Sequence, residues 1–228
     1  MHIKRQRTPK TWKLKEIKSK KWVTKGVPGP HSQKFSLPIN LVLKEIICCS
    51  KQTRESKWIV SKNKVLVNKK VIKTIKFPVG LFDSIELKDN NEIYRLTFGD
   101  DRKFTTKKIK AEENGIRPCK VISKTIQKKG VIQINLDNGM NLLTDKKDVK
   151  VGDTLVVDLS NMKVLKHLKF GTGALVMIID GKYVGRVGTL KEIKKGIKGK
   201  QNVRVMIDKD LIETLGGYAF VLDSSLIY

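Results

Sequence analysis

Residues 131–139 read Val131-Ile132-Gln133-Ile134-Asn135-Leu136-Asp137-Asn138-Gly139. Apolar and polar side chains alternate with a period of two, the spacing that sends neighbours to opposite faces of a strand. Asp137-Asn138-Gly139 then reads as a hairpin turn, because Asn-Gly accepts the positive φ that a type I′ turn demands. The same period spreads in both directions. Upstream, Val65, Val67, Val71 and Ile75 alternate around a turn-like break at Asn68-Lys69-Lys70, followed by Ile93, Leu96 and Phe98, then by 121–126. Downstream, Val149, Val151, Leu155, Val157 and Leu159 alternate around Gly152-Asp153, and 174–179, 186–193 and 203–207 complete the series. Many short strands with frequent turns predict small barrels or sandwiches. No long segment alternates strand with helix as a parallel α/β fold requires.

Helical signals are confined to residues 38–61. Pro38 suits a first helical turn, and Leu41, Val42, Glu45 and Ile46 have helical spacing, with Ile47 and Cys48 widening the apolar face. A second helix is expected from about Gln52 to Ser61, burying Trp58 and Ile59 while Lys51, Arg54 and Lys57 face outward.

The 48 Lys and Arg against 22 Asp and Glu give a net charge of +26, spread along all 228 residues. The excess is +10 over 1–37, +5 over 38–100, +7 over 101–168 and +4 over 169–228. So uniform a positive field repels itself unless a polyanion neutralises it. Nucleic acid is the leading partner, since each neutralised phosphate also releases condensed counterions.

Other classes find little support. Cys48, Cys49 and Cys119 are too few for a disulfide framework or a zinc site and read as reduced thiols acting as small hydrophobes. No apolar run approaches the roughly 20 residues of a membrane span, and the basic N-terminus lacks the apolar core of a secretory signal. A mitochondrial transit peptide is disfavoured because Lys, not Arg and Ser, dominates the segment. His2, His31 and His167 are scattered, and the acids Asp100-Asp101, Glu112-Glu113, Asp145, Asp148 and Asp153 fall beside turns. That distribution offers no positioned acid, base or nucleophile. Gly196-Ile197-Lys198-Gly199-Lys200 is loop-like and basic, without the strand–helix frame of a phosphate cradle.

Residues 1–37 contain one acid and no sustained apolar period, with Gly26, Pro28, Gly29 and Pro30 breaking the second half. The segment is expected to be extended or disordered when free. Trp12, Trp22 and Phe35 lie among its cations. They can stack on RNA bases or anchor the segment to its own protein.

Three stretches in order carry a family resemblance. The first is His2-Ile3-Lys4-Arg5 with Pro9-Lys10-Thr11-Trp12-Lys13-Leu14. The second runs from Val65-Leu66-Val67-Asn68-Lys69-Lys70-Val71 to Phe77-Pro78-Val79-Gly80 and Asp83-Ser84-Ile85. The third is Asp180-Gly181-Lys182-Tyr183-Val184-Gly185-Arg186-Val187-Gly188-Thr189-Leu190. Over essentially the whole chain the sequence resembles the small ribosomal subunit protein four family of eukaryotes and archaea. It departs from that family at Asn68-Lys69-Lys70, where members often carry Asp-Gly-Lys. It also ends at Tyr228, where members usually continue with a basic extension, and so is expected to be a shortened version.

The resemblance implies an α+β, mostly β fold in four parts. These are a basic rRNA-binding arm (1–37), an S-four-like RNA-binding domain with two helices and short strands (38–100), a central β-rich domain (101–168) and an SH3-like KOW barrel (169–228). It implies a non-enzymatic structural component of the small subunit, with rRNA and neighbouring ribosomal proteins as partners. No cofactor, metal, membrane or small-molecule substrate is expected. The location is the cytoplasmic ribosome, with nucleolar passage during assembly. The rival is a free KOW-containing RNA-binding factor. Expected rRNA contacts are Lys4, Arg5, Arg7, Lys10, Trp12, Lys13, Lys15, Lys20, Lys21, Trp22 and His31 in the arm. Further along they are Lys57, Lys62, Lys64, Asn68, Lys69 and Lys70, then Lys182 and Arg186 in the last barrel.

Overall fold

The computed structural model describes residues 2–15, 21–127, 130–144, 148–195, 201–208 and 210–223. They fall into two compact units, Met1–Gly115 and Ile116–Tyr228.

The first unit begins with β1 (His2–Lys4), antiparallel to β2 (Trp22–Thr24), with Ile3 opposite Val23. Next come β3 (Ser36–Pro38), α1 (Ile39–Leu41), a wider π-type turn over Val42–Ile46, and α2 (Thr53–Ser61). The chain continues through β4 (Val65–Val67), β5 (Lys70–Val71) and β6 (Pro78–Gly80) to β7 (Ser84–Leu87), β8 (Glu92–Phe98) and β9 (Phe104–Lys108). β6 pairs with β3, and the other five strands form an antiparallel sheet in the order β5-β4-β7-β8-β9.

Pro38 caps the first helical turn, where its missing N–H costs nothing, and Ile39, Leu41, Val42 and Leu43 are all buried. α2 opens with a capping box: the Glu55 carboxylate accepts from the backbone N–H of Lys51 (2.7 Å) and Gln52 (3.3 Å). Those two bonds lower the Glu55 pKa. The helix buries Ser56 and Val60, four residues apart and so on one face. Trp58 lies midway between them in sequence, points the other way and is 54% exposed. That corrects the expected burial of Trp58.

The arm is not free-standing. Thr11 O accepts from Phe104 N (2.8 Å), and the buried Trp12 indole donates from Nε1 to Ser36 O (3.0 Å). Its strands are three residues long, too short to show an apolar period. The expected 100/101 boundary falls inside the β8–β9 hairpin, where Phe98 and Phe104 stand opposite each other and stack at 4.8 Å. Two paired strands cannot belong to different domains, so this unit continues to Gly115.

The second unit contains two five-stranded antiparallel sheets. The first is built from β10 (Ile116–Ile126), β11 (Ile132–Leu136), β12 (Asn141–Thr144), β13 (Thr154–Asp158) and β14 (Lys163–Leu168), in the order β12-β11-β10-β13-β14. β10 pairs with β13 along its first half and with β11 along its second, shifting register between Val121 and Ser123. Such a bulge bends a strand and lets a sheet curl. The hairpin after β11 is real, but only Gly139 has positive φ (74°), and Gly139 N bonds Leu136 O. The turn is therefore type I followed by a left-handed glycine, not type I′.

The second sheet comprises β15 (Leu175–Ile178), β16 (Val187–Lys195), β17 (Gln201–Ile207), β18 (Asp210–Leu215) and β19 (Ala219–Val221), ordered β18-β17-β16-β15-β19. Each sheet has its own aliphatic cluster, Cys119, Val121, Ile134, Leu155 and Val157 in one, and Val176, Leu190, Val203, Val205 and Ala219 in the other. At Gly188 a Cβ would collide with the Met206 carbonyl oxygen and lie 2.7 Å from Ile207. Only glycine lets β16 and β17 approach this closely. Lys120 ties β10 to the second sheet by donating to Gly217 O (2.9 Å), Ala219 O (2.6 Å) and Gly216 O (3.3 Å). Burial lowers its pKa to about 8, opposed by the nearby Asp137. Among the described residues no helix is long and apolar enough to cross a membrane.

Candidate nucleic-acid interface

The β4–β5 turn is set by Asn68 (φ 51°) and Lys69 (φ 63°), both left-handed as a two-residue type I′ turn needs. Lysine thus occupies a position that glycine fills without strain. Asn68 is held by its surroundings. Its Nδ2 donates to Asp83 Oδ1 (2.9 Å), and its Oδ1 accepts from Ser84 N (3.0 Å). Asp83 Oδ2 accepts from Gly80 N (2.7 Å) and lies 3.0 Å from His31 Nε2. Ser84 Oγ reaches Asn114 Oδ1 (3.0 Å), and Asn114 Nδ2 donates to Glu86 Oε2 (2.8 Å). His31 and Asn68, both half-buried, therefore also act as internal struts. The acid that organises them, Asp83, is 1% exposed. Lys69 and Lys70 remain exposed at the tip of the turn.

In the arm, Lys4, Arg7, Lys10, Lys15, Lys21 and Trp22 are exposed, while Arg5 and Lys13 are half-buried. Lys13 lies 3.9 Å from Asp101. Lys15 Nζ donates to Cys48 Sγ (2.6 Å), a contact that raises the lysine pKa. Trp12, 4% exposed, offers no face to a base, which corrects its assignment as a stacking ring. Lys20, Asp145 and residues 196–200 lie outside the described residues.

Around α2, Lys57 and Lys62 are exposed. Lys64 is half-buried, ion-paired with Asp89 (2.9 Å) and placed 4.8 Å from the Trp58 ring centroid. Trp58 is the surface aromatic that sequence reasoning missed. The signal lay in the Ser56 and Val60 spacing, which leaves residue 58 on the outer face. In the loop between β15 and β16, Lys182 and Arg186 are exposed, and Lys182 Nζ sits 5.4 Å from the Tyr183 ring. Cys119 is buried as expected of a small hydrophobe, but Cys48 and Cys49 are exposed, with Cys48 at φ 63°.

This arrangement is a distributed one. Long-stemmed cations stand beside the exposed rings Trp22 and Trp58, the combination that neutralises phosphates and stacks unpaired bases. Each lysine acts as a point charge, whereas Arg7 and Arg186 can fork onto a phosphate.

The model of "Ribosomal family S4e" matches residues 90–164. Small ribosomal subunit protein eS4 of Methanocella arvoryzae is 34% identical over 97% of this chain and 93% of its own length. The eS4 protein of Methanocaldococcus jannaschii is 35% identical over 97% and 93%. The crystal structure of 30S ribosomal protein S4e from Thermoplasma acidophilum superposes with a TM-score of 0.69 at 29% identity, covering 84% of this chain and 95% of that one. Sequence likeness along nearly the full length, joined to a shared fold, leads to one conclusion: this chain is a member of ribosomal family S4e.

Proposed function

We propose that the chain is a structural, non-catalytic constituent of the small ribosomal subunit that binds and stabilises small-subunit rRNA. The observation that carries this reading is identity of about a third, over 97% of the chain, to proteins named small ribosomal subunit protein eS4. A free KOW-containing factor would share its last sheet with such proteins, not the arm and both units. The partners are rRNA and adjacent small-subunit proteins, and the place of work is the cytoplasmic ribosome, with nucleolar passage where assembly requires it.

Within this reading the four-part plan is kept with one boundary moved. The arm leads into an S-four-like RNA-binding domain that ends at Gly115, followed by the central sheet and a KOW-type SH3-like barrel. The working contacts are Lys4, Arg5, Arg7, Lys10, Lys13, Lys15, Lys20, Lys21 and Trp22, then Lys57, Lys62, Lys64, Lys69 and Lys70, then Lys182 and Arg186. Trp58 joins them. Phosphate contacts position the protein without reading sequence, and specificity comes from rRNA shape and unpaired bases.

The test is the salt dependence of full-chain binding to small-subunit rRNA. Each phosphate contact contributes about 0.7–0.9 to the slope of log K against log[salt]. Neutralising Lys4, Arg7 and Lys10 together should flatten the slope by about 2 to 3. An unchanged slope would remove the arm from the interface.

A further inference from the structure

Cys48 is an exposed thiol just beyond the π-type turn at Val42–Ile46. Lys15 Nζ, from a residue 33 positions earlier, donates to its Sγ at 2.6 Å. The carbonyl oxygens to which the S–H itself can donate, those of Glu45 and Ile46, stand farther off at 3.9 and 3.7 Å. Lys15 is held by its backbone as well, since its N–H donates to Glu45 Oε2 (3.2 Å). Two segments distant in sequence thus set an amine nitrogen against a sulfur. Such placement turns a bimolecular reaction into an intramolecular one.

The surroundings distinguish this thiol from the others. Cys48 lines a cavity of about 440 Å³ between β2, α1 and the start of α2, with Arg5, Lys44 and Lys51 also on its wall. The cavity admits a small oxidant, and cations beside a sulfur favour the thiolate, which is the reactive form. Cys49 opens elsewhere, to the cavities beside Trp58 and Asp89. Its Sγ lies 3.5 Å from Leu43 O, and partial burial pushes its thiol pKa up. Cys119 is buried in the core of the second unit.

We propose that Lys15 and Cys48 form a redox-modification site, at which a peroxide joins Lys15 Nζ to Cys48 Sγ by a covalent S–N bond. The Cys48 thiolate attacks one peroxide oxygen, the O–O bond breaks, hydroxide leaves, and a sulfenic acid remains. The bond to Cys48 and the charge of Cys48 are the main causes that raise the Lys15 pKa. Oxidation to the neutral sulfenic acid removes that charge, so the ammonium passes a proton to the hydroxide and becomes a nucleophile. The amine attacks sulfur, the S–O bond breaks, and the departing hydroxide leaves as water with a second amine proton. One thiol, one amine and one hydrogen peroxide give one sulfenamide and two waters. Sulfenic acids condense with an adjacent nitrogen in this way. The inference rests on the rRNA-binding reading only for its consequence: the link removes one positive charge from the arm and ties the arm to the helical segment.

The test is peptide mass spectrometry of the full chain before and after hydrogen peroxide. A cross-linked Lys15–Cys48 peptide should appear, lighter than its two components by two hydrogen atoms, and a thiol reductant should release it. Cys48 should be consumed at least about tenfold faster than Cys49. Cys49→Ser should keep the link. Lys15→Arg should abolish it and leave a Cys48 sulfenic acid that dimedone traps. Cys48→Ser should abolish both products, and should that variant fail to fold, the peptide map of the unchanged chain decides. Peroxide that couples Cys48 to Cys49 or to a second chain, or that consumes both exposed thiols at equal rates, would overturn the proposal. A link that forms while the salt slope of rRNA binding stays unchanged leaves the site standing and takes Lys15 out of the rRNA interface. If no link forms in a chain that binds small-subunit rRNA with a steep salt slope, this inference fails while the rRNA reading stands.

Discussion

In the second unit, Cys119, Val121, Ile134, Leu155 and Val157 fill one sheet, and Val176, Leu190, Val203, Val205 and Ala219 fill the other. The first unit also buries Leu37, Ile39, Leu43, Val65 and Ile85, but it places Ser36, Asn40, Ser50, Ser56, Asp83, Ser84, Arg95 and Asn114 among them, against Arg117, Asn138, Asp153 and Thr154 in the second unit. There the arm is fastened by directional bonds, from Phe104 to Thr11, Asn40 to Thr24 and His31 to Asp83. Apolar layers stabilise in proportion to buried area, at about 25 cal/mol per Å². A polar tie adds only about 1 kcal/mol net, yet costs more when one partner is removed and the other stays buried. The second unit should therefore fail through steric insult and the first through loss of a single partner.

The largest effect is expected at Gly188→Ala in the second unit. The new methyl meets the Met206 backbone, which cannot swing aside, so about 3 kcal/mol or more should be lost in denaturant unfolding. A loss below 1 kcal/mol would show that β16 and β17 can slide apart. In the first unit, Asp83→Ala leaves Gly80 N and Asn68 Nδ2 without their acceptor and frees His31. It should cost about 2–3 kcal/mol and open the arm to proteolysis between Lys25 and Lys34. An arm that stays resistant would mean Trp12 alone suffices to dock it.

Lys120 is a polar tie in the second unit, as is the buried Asp153, which accepts from Lys150 N and Phe170 N. Its pKa is about 8 in the folded chain against an ordinary 10.5. Between those values the unfolded chain binds more protons, so stability rises with pH across that window and the burial penalty is fully present below pH 8. The rise should amount to about 3 kcal/mol, and subtracting the curve of Lys120→Met from that of the unchanged chain isolates it. No difference between the two curves would mean that the three carbonyl oxygens offset the burial. Smallest and opposite in sign is Lys69→Gly. Relieving a left-handed lysine at φ 63° should stabilise the first unit by about 0.5–1 kcal/mol in thermal unfolding.

Those contrasts also explain what could be read from the chain itself. Of the strands from Ile116 onward, β10, β11, β13, β15, β16 and β17 were legible because their inner faces are aliphatic and alternate, as in Ile132, Ile134 and Leu136, whereas β12, β14, β18 and β19 were not. β1, β2 and β3 were not, because three residues carry too little periodicity and their partners are distant in sequence. The Asp137–Gly139 hairpin was legible as a hairpin, but the turn type depended on Asn138 keeping negative φ, which the Asn-Gly pair alone does not dictate. At the interface, exposed lysines were easy to nominate, since most lysines are exposed. The internal ties of His31 and Asn68 were not legible because their partner, Asp83, lies 52 and 15 residues away. Trp58 was misread as core because hydrophobicity was weighed above helical phase.

The central claim is that this chain is a resident of the small ribosomal subunit. Sucrose-gradient sedimentation of a cell lysate, with each fraction probed for the chain, tests it most directly. The account predicts stoichiometric presence in small-subunit, whole-ribosome and polysome fractions, retained at moderate salt. Presence only in light fractions, or only with precursor particles, would contradict it and make the chain a free RNA-binding or assembly factor.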